Sequence, residues 1–238
     1  MENKDFFDSF EDYDEYVLKN QGDVYKNTQL YLNEKLKHAE HVLDIGNGGV
    51  MNYDFSNFDL DCLDISVCDK TREKYAVFNN VKFFEGDALA LPFENDKYDA
   101  VIIQYVIHHL VAANKVSAKE KLKLTEHNVR KCINEAIRVT GDEGSVFIIE
   151  PVVPEWFFFL EKIFFAPLLL FCKLLRHGEV FQFSKKALTS MIADTLGSDK
   201  YKLNTKIIDP GKSIVIFKVP VPAFLAPMKI YVFEISKR

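Results

Sequence analysis

No stretch of the chain carries a dense run of lysine and arginine, and the formal net charge is −5. Proteins that hold nucleic acid displace counterions from phosphates with a basic surface, so this charge balance argues against an RNA or DNA partner. Cysteine is scarce as well. Cys62, Cys68, Cys132 and Cys172 form neither a C-x-x-C pair nor the spacing of a disulfide framework. They read as reduced, mostly buried thiols. Cys62 and Cys68 fall short of the four ligands zinc takes, so no metal is expected. The opening residues, Met1-Glu-Asn-Lys-Asp-Phe-Phe, lack the basic start and apolar run of a secretory signal, and the cytoplasm is the expected location. An uninterrupted apolar span is missing too. The most apolar stretch, 156–176, is broken by Glu161, Lys162 and Lys173 and contains Pro167, which argues against a transmembrane segment.

What is present fits one globular domain. The chain has 238 residues, 48% of them hydrophobic and 21 of them Phe, enough for a sizeable core with a small addition. Phe6, Phe7, Phe10, Tyr13 and Tyr16 recur at three- or four-residue steps, which predicts an amphipathic helix, and Tyr25, Leu30, Tyr31 and Leu36 predict a second. Short apolar runs at 41–45, 59–65, 80–84 and 98–104 read as buried parallel strands. Helices are expected at 68–78 and 119–139, the latter stopped by Thr140-Gly-Asp-Glu-Gly144 before a strand at 145–149. The alternation predicts an α/β fold with a mostly parallel sheet and a ligand at the strands' carboxyl ends. Later, 184–196 reads as a surface helix. Two β-rich runs, 213–219 and 229–235, are expected to close the sheet with an antiparallel edge, and 203–208 competes for a strand assignment.

The chemistry concentrates at the strand ends. In Val42-Leu-Asp-Ile-Gly-Asn-Gly-Gly49 a strand delivers a carboxylate and then glycines against which a ligand can lie. A dinucleotide dehydrogenase carries G-x-G-x-x-G with its acidic residue later. Here Asp44 precedes Gly46, which suits a ligand bearing an amino group better than a pyrophosphate. Asp64 closes the second strand, where a carboxylate can accept from both hydroxyls of a ribose. Glu85-Gly-Asp-Ala-Leu-Ala-Leu-Pro92 follows the third strand, and Tyr98-Asp-Ala-Val-Ile-Ile-Gln-Tyr-Val-Ile-His-His-Leu110 forms the fourth and its turn. A histidine at that turn titrates near neutrality and suits general-base work. Glu150 ends the fifth strand and faces the same rim.

In this order the motifs resemble the class I S-adenosylmethionine-dependent methyltransferase family, in particular its small-molecule, ubiquinone-type branch. The resemblance covers roughly residues 40 to 150. It implies a Rossmann-like three-layer sandwich, a mostly parallel seven-stranded sheet with an antiparallel last strand and a helical cap. It also implies S-adenosyl-L-methionine as cofactor, with S-adenosyl-L-homocysteine as product. The family's first loop reads acidic-x-Gly-x-Gly-x-Gly. Asp44, Gly46 and Gly48 match, with Asn47 between the glycines, whereas Val50 stands at the third glycine's place and Gly49 is extra. The helix that follows is shortened to Met51-Asn-Tyr-Asp-Phe-Ser. By the resemblance Asp64 with Ile65 serves the ribose, Asp87 and Ala88 the adenine, and Gln104 the backbone beside the sulfonium. His108, His109 and Glu150 are the candidate catalytic groups. Asn134, Glu135 and Arg138 match a helix where such residues are structural.

The implied division is a single domain over 1–238: N-terminal helices folding as a lid over 1–40 with Tyr13, Tyr16 and Tyr25, a cofactor core over 41–150, a hydrophobic cap over 151–200 and C-terminal strands over 201–238. Residues 156–176 read as a cap on the acceptor pocket, a homodimer interface, a membrane-surface contact or plain core, and residues 156–183 are expected to wall the acceptor side. The Phe-rich lining favours a hydrophobic or aromatic small-molecule acceptor, methylated at oxygen. Carbon or nitrogen transfer, a cofactor-binding protein that does not methylate, and a nicotinamide oxidoreductase are the alternatives.

Overall fold

Strand formation follows from runs in which both faces are apolar. In β1 (His41–Ile45), β2 (Asp59–Asp64) and β4 (Tyr98–Gln104) nearly every residue is buried, as in a parallel sheet covered on both faces. The computed structural model describes residues 13–112, 116–174, 179–197, 200–209, 211–216 and 219–237. With β3 (Val81–Glu85), β5 (Thr140–Val153), β6 (Phe183–Ser184), β7 (Tyr201–Ile208) and β10 (Lys229–Lys237), these strands form one sheet in the order β3-β2-β1-β4-β5-β10-β7, with β6 beside β5. Strands β3 to β5 along this path are parallel neighbours, and β10 runs antiparallel to both β5 and β7. The strand order reverses between β1 and β4, the position at which open α/β sheets hold ligands.

Alternation along each strand sends side chains to two cores. Leu43, Ile45, Val101, Ile103, Val146 and Ile148 pack on one face, where α3 (Ala118–Val139) supplies Val129, Cys132, Ile133 and Ala136, and α6 (Lys185–Leu196) supplies Leu188 and Ile192. These helical positions recur at three- and four-residue steps, which places them on one stripe. Ser117 and Ser184 cap the two helices by accepting hydrogen bonds from the backbone N–H groups of Glu120 and Ala187. On the other face, Val42, Leu60, Cys62, Ile102 and Ile149 meet α1 (Tyr13–Lys35), which offers Val24, Tyr31 and Leu32. The Tyr31 hydroxyl and the Lys35 ammonium fasten α1 to Glu234 of β10, at 3.1 and 2.8 Å.

Several expectations are corrected. The two N-terminal helical patterns merge where described: Tyr13 to Lys35 is one helix, while Phe6, Phe7 and Phe10 lie outside the described residues. No helix forms at 50–58. A parallel pair normally needs a helical crossover, yet β1 reaches β2 through a loop whose Tyr53 and Phe58 are buried and stacked at 6.4 Å. Burying two such rings contributes roughly 1.5–3 kcal/mol each, which takes over part of a helix's covering role. Helix α2 is short, Asp69–Tyr75. Residues 140–144 continue into β5 as an irregularity against β4 rather than forming a separate turn. Residues 213–216 do not join the main sheet. They pair as β8 (Ser213–Ile216) with β9 (Val219–Pro222) in a separate hairpin, while 201–208 takes the sheet edge and β10 inserts between it and β5.

Beyond β5 the apolar stretch folds as α4 (Glu155–Ile163) and α5 (Phe165–Leu174). The break falls at Phe164, and Pro167 sits in the first turn of α5, where the N–H it lacks would have no helical partner. No helix of the described residues is long and apolar enough to cross a membrane.

Candidate active site

The carboxyl ends of β1, β2 and β4 and their following loops enclose a cavity of about 340 Å³. Asp44, Gly46, Asn47, Gly48, Asp64, Ile65, Asp87, Ala88, Gln104 and His109 all line it. The glycine loop is shaped by two close approaches. Gly46 has φ +71°, and a Cβ there would stand 2.5 Å from Cγ2 of Val106. Gly49 has φ +79°, and a Cβ there would stand 2.7 Å from Oγ1 of Thr71 on α2. Both positions therefore demand glycine. The extra glycine of the loop, Gly49, thus makes the close approach to α2. Asn47 fixes the turn by accepting at Oδ1 from the Gly49 N–H at 2.8 Å, and Tyr75 donates to the Gly49 carbonyl at 3.1 Å.

Asp44 is 2% exposed. Its Oδ2 accepts from the Tyr53 hydroxyl at 2.5 Å and from Asn47 Nδ2 at 3.3 Å. Its Oδ1 is buried and has no partner among the described residues. Burial pushes the carboxyl up to about 7, against the lowering effect of the Tyr53 and Asn47 hydrogen bonds. Asp64 accepts at Oδ2 from the Gly48 N–H at 3.0 Å, which ties the second strand's acid to the glycine loop. Asp87 accepts at Oδ1 from the Leu89 N–H at 2.9 Å, an Asx turn that holds Ala88 against the cavity. Asp61 is occupied elsewhere, accepting from Lys97 and Tyr98, both at 2.7 Å.

The three candidate catalytic groups separate. His109 lines the cavity, whereas His108 and Glu150 do not. Glu150 does not face the rim as an open carboxylate. It is 2% exposed, and its two oxygens are taken by the Ile107 N–H at 2.5 Å and by His108 Nδ1 at 2.8 Å. Burial raises its carboxyl well above the usual range, opposed by the backbone N–H groups of Ile107 and Val106. The His108 and His109 rings lie 4.1 Å apart between centroids. Glu150 thus braces the 3₁₀ turn Ile107–His109, and His108 carries that support to the histidine in the cavity. The Phe181 N–H donates to the His108 carbonyl at 2.9 Å, holding the turn from its other side.

Several lining or supporting residues were not foreseen, among them Tyr53, Tyr105, Val106 and Thr71, and Lys70 and Lys74 of α2 also line the cavity. Tyr53 sits in a polar segment with no strand or helix period. Tyr105 adopts φ +59° at the cavity wall, a conformation uncommon outside glycine, and Val106 and Thr71 matter only through the glycines they touch. Tyr25 of α1 does line the cavity, with its ring 5.7 Å from that of Tyr105. The Tyr13 and Tyr16 side chains are outside the described residues. Among the described residues, nothing beyond Leu110 lines this cavity, so the wall expected from residues 156–183 lies outside it. Glu135 and Arg138 brace another loop: Arg138 donates to the carbonyls of Leu91 and Phe93.

These features fit an amino-acid-bearing nucleoside. The unpartnered, buried Oδ1 of Asp44 calls for a cationic donor, and Gly46, Asn47 and Gly48 line the same cavity beside it. The chain matches the family model described as a methyltransferase domain over residues 43–148. It is 27% identical over 161 residues to the uncharacterized methyltransferase YcgJ of Bacillus subtilis, covering 58% of this chain and 57% of that protein. It is 30% identical over 120 residues to the sarcosine/dimethylglycine N-methyltransferase of Aphanothece halophytica, covering 47% and 38%. The chain thus spans about half the length of the curated relatives it matches. Its fold is similar to that of the 1,6-didemethyltoxoflavin-N1-methyltransferase of Burkholderia thailandensis, with a TM-score of 0.63 at 12% identity over 98% of this chain and 86% of the other. Residues 43–148 thus match a methyltransferase domain, and the fold is that of the class I S-adenosylmethionine-dependent methyltransferases.

Proposed function

We propose that the protein transfers a methyl group to a hydrophobic or aromatic small molecule, at an oxygen atom. The observation that carries this reading is the orphaned Oδ1 of Asp44 in the same cavity as the imidazole of His109: one buried acceptor for a cofactor ammonium and one base for an acceptor proton. When bound, S-adenosylmethionine supplies an activated methyl on a sulfonium. Asp44 accepts the ammonium, Asp64 with Ile65 holds the ribose, and Asp87 with Ala88 holds the adenine. Gln104 keeps the backbone of β4 beside the reacting centre. His109 takes the proton from the acceptor hydroxyl, and Glu150 and His108 keep its turn in place. Tyr25, ringed against Tyr105, supports a role for α1 as a lid that excludes water. The free thiols of Cys62, Cys68 and Cys132 support a cytoplasmic location.

Nitrogen transfer is the second reading, favoured by the names of the Aphanothece and Burkholderia enzymes. Calorimetry with S-adenosylmethionine, S-adenosylhomocysteine and NADH, followed by label transfer to panels of phenols and amines, tests both. Binding of the first two with label on a phenol supports the proposal, and label on amines alone moves the assignment to nitrogen. Binding of NADH alone would sink it.

A further inference from the structure

The inner stripe of the two helices after β5 carries a carboxyl between aromatic rings. Phe158, Glu161 and Phe165 follow one another at three- and four-residue steps. Phe158 and Phe165 each pack on Phe181, at 5.9 and 5.1 Å between ring centroids, and Glu161 between them is 6% exposed. Its Oε1 accepts from the Gln182 N–H at 3.0 Å. Its Oε2 is buried without a partner among the described residues, and so is Oε1 of Gln182. Buried acceptors that lack a donor destabilise the fold. A proton on Glu161 puts a donor at this place and takes the charge out of the aromatic cleft.

Gln182 belongs to the run that holds the candidate base in place. The Phe181 N–H donates to the His108 carbonyl at 2.9 Å, and Phe183 and Ser184 pair with Val152 and Val153 of β5. This run is therefore tied to the 3₁₀ turn Ile107–His109 on one side and to Glu161 on the other. On the described elements around Glu161 the charged groups are engaged with one another: Lys162 with Glu126 of α3, Lys121 of α3 with Glu179, and His108 with Glu150. Lys185 lies over the Tyr231 ring, and Glu155 at the start of α4 is exposed. Burial, rather than a neighbouring charge, governs Glu161, and it pushes the carboxyl up to about 7 against the lowering effect of the Gln182 N–H.

We propose that Glu161 is a positioning residue for the His109 turn, a latch that is closed while its carboxyl carries a proton and loosened when it ionises. The neutral acid suits the cleft, whereas the carboxylate is a charge among rings with one donor. The contact of α4 with residues 181–184 is thus fully present on the acid side and weakens as pH rises through about 7. His109 has the opposite requirement, because an imidazole takes a proton only when neutral. The two groups together bound a window of pH, with His109 setting its acid side and Glu161 its alkaline side. This inference rests on the reading of His109 as the base in the cavity.

The first measurement uses the full chain without ligand. Hydrogen exchange of the Phe181 and Gln182 amides is followed from about pH 6 to about pH 9 and corrected for the intrinsic pH dependence of exchange. Protection in the native protein should fall about tenfold or more across this range. Glu161→Gln keeps an acceptor for the Gln182 N–H and adds a permanent donor, so its protection should change by about threefold at most. The second measurement is the pH–rate profile with an acceptor found by label transfer. The native rate should decline on the alkaline side, and Glu161→Gln should lose that decline while retaining the acid limb. Protection in the native protein that does not respond to pH overturns the proposal. So does a loss of protection in Glu161→Gln equal to the native one, which would assign the titration to another group. An alkaline decline that persists in the variant removes Glu161 from positioning the base. Exchange that responds as expected in a protein that labels no acceptor at any pH supports the latch, and the reading of the cavity as a methyl-transfer site fails instead.

Discussion

The hydroxyl of Tyr53 donates to Oδ2 of Asp44 at 2.5 Å, across a loop that stands where a helix is expected. That bond, with Asn47, occupies Oδ2 and leaves Oδ1 without a partner among the described residues, and it favours the ionised carboxylate against a burial cost that pushes the group up to about 7. Replacing Tyr53 with Phe removes the bond and moves the Asp44 carboxyl higher still. A lost hydrogen bond to a charged group corresponds to about 1.5–3 kcal/mol, so cofactor affinity at pH 7 should fall about tenfold or more. The loss should shrink at pH 8.5, where Asp44 ionises even without Tyr53. Calorimetry at the two pH values decides, and an equal loss at both would remove the tyrosine from this role.

The ligand-free protein carries the cost of this arrangement. Asp44 and Glu161 are both pushed up to about 7, each chiefly by burial. Their ordinary values are 3.8 and 4.5, so between those values and about 7 the folded state binds more protons than the unfolded one. Stability therefore falls as pH rises through that window and levels off above it. Asp44→Asn removes the Asp44 share, on the order of 1–4 kcal/mol at most for a fully buried group. In urea unfolding at pH 8 the variant should be the more stable, while its cofactor affinity falls. At pH 4 the two proteins should unfold alike. A variant that is less stable at pH 8 would contradict the account.

The parallel core was legible because its strands are buried on both faces and read as unbroken apolar runs: 41–45 and 98–104 fall at their predicted bounds. The line of acids was legible as a shared position for a related reason, since Asp44, Asp64 and Asp87 sit at or just beyond strand ends and line one cavity. Tyr53 was not, because a loop that covers a sheet with single aromatic side chains has no period to detect. The edge went wrong for an energetic reason. Residues 213–216 and 201–208 have similar β character, and the choice of edge strand rests on pairing with Ile230 to Lys237, which local sequence does not record. Glu161 was read as interrupting an apolar run, and its burial inverts the face that a helical wheel would assign inward.

The glycine loop permits a direct test of its altered register. Gly49→Ala places a Cβ 2.7 Å from Oγ1 of Thr71 at φ +79°, which should cost about 1–3 kcal/mol and weaken the cofactor at least tenfold. Val50→Gly restores a glycine at the family's third position. Because Gly49 already makes the close approach, this change should leave cofactor affinity within about threefold, apart from the entropic cost of a loop glycine. If Val50→Gly instead tightened binding tenfold, the family's own register would be the operative one.

Glu150 and His109 should respond to substitution in distinguishable ways. His109 lines the cavity and Glu150 does not, so removal of the imidazole acts on proton transfer, while removal of the carboxylate acts on the turn that carries it. His109→Ala should lower kcat with an oxygen acceptor by about 10²-fold or more, leave the cofactor Kd within about threefold and abolish the acid limb of the pH–rate profile. Glu150→Gln keeps an acceptor for the Ile107 N–H and should retain that limb, with kcat reduced by about tenfold at most. Glu150→Ala orphans a buried N–H and should cost about 1–3 kcal/mol of stability, read by urea unfolding. Were Glu150→Gln to erase the acid limb and His109→Ala to spare it, Glu150 would be the base after all, reached by a movement of the 3₁₀ turn.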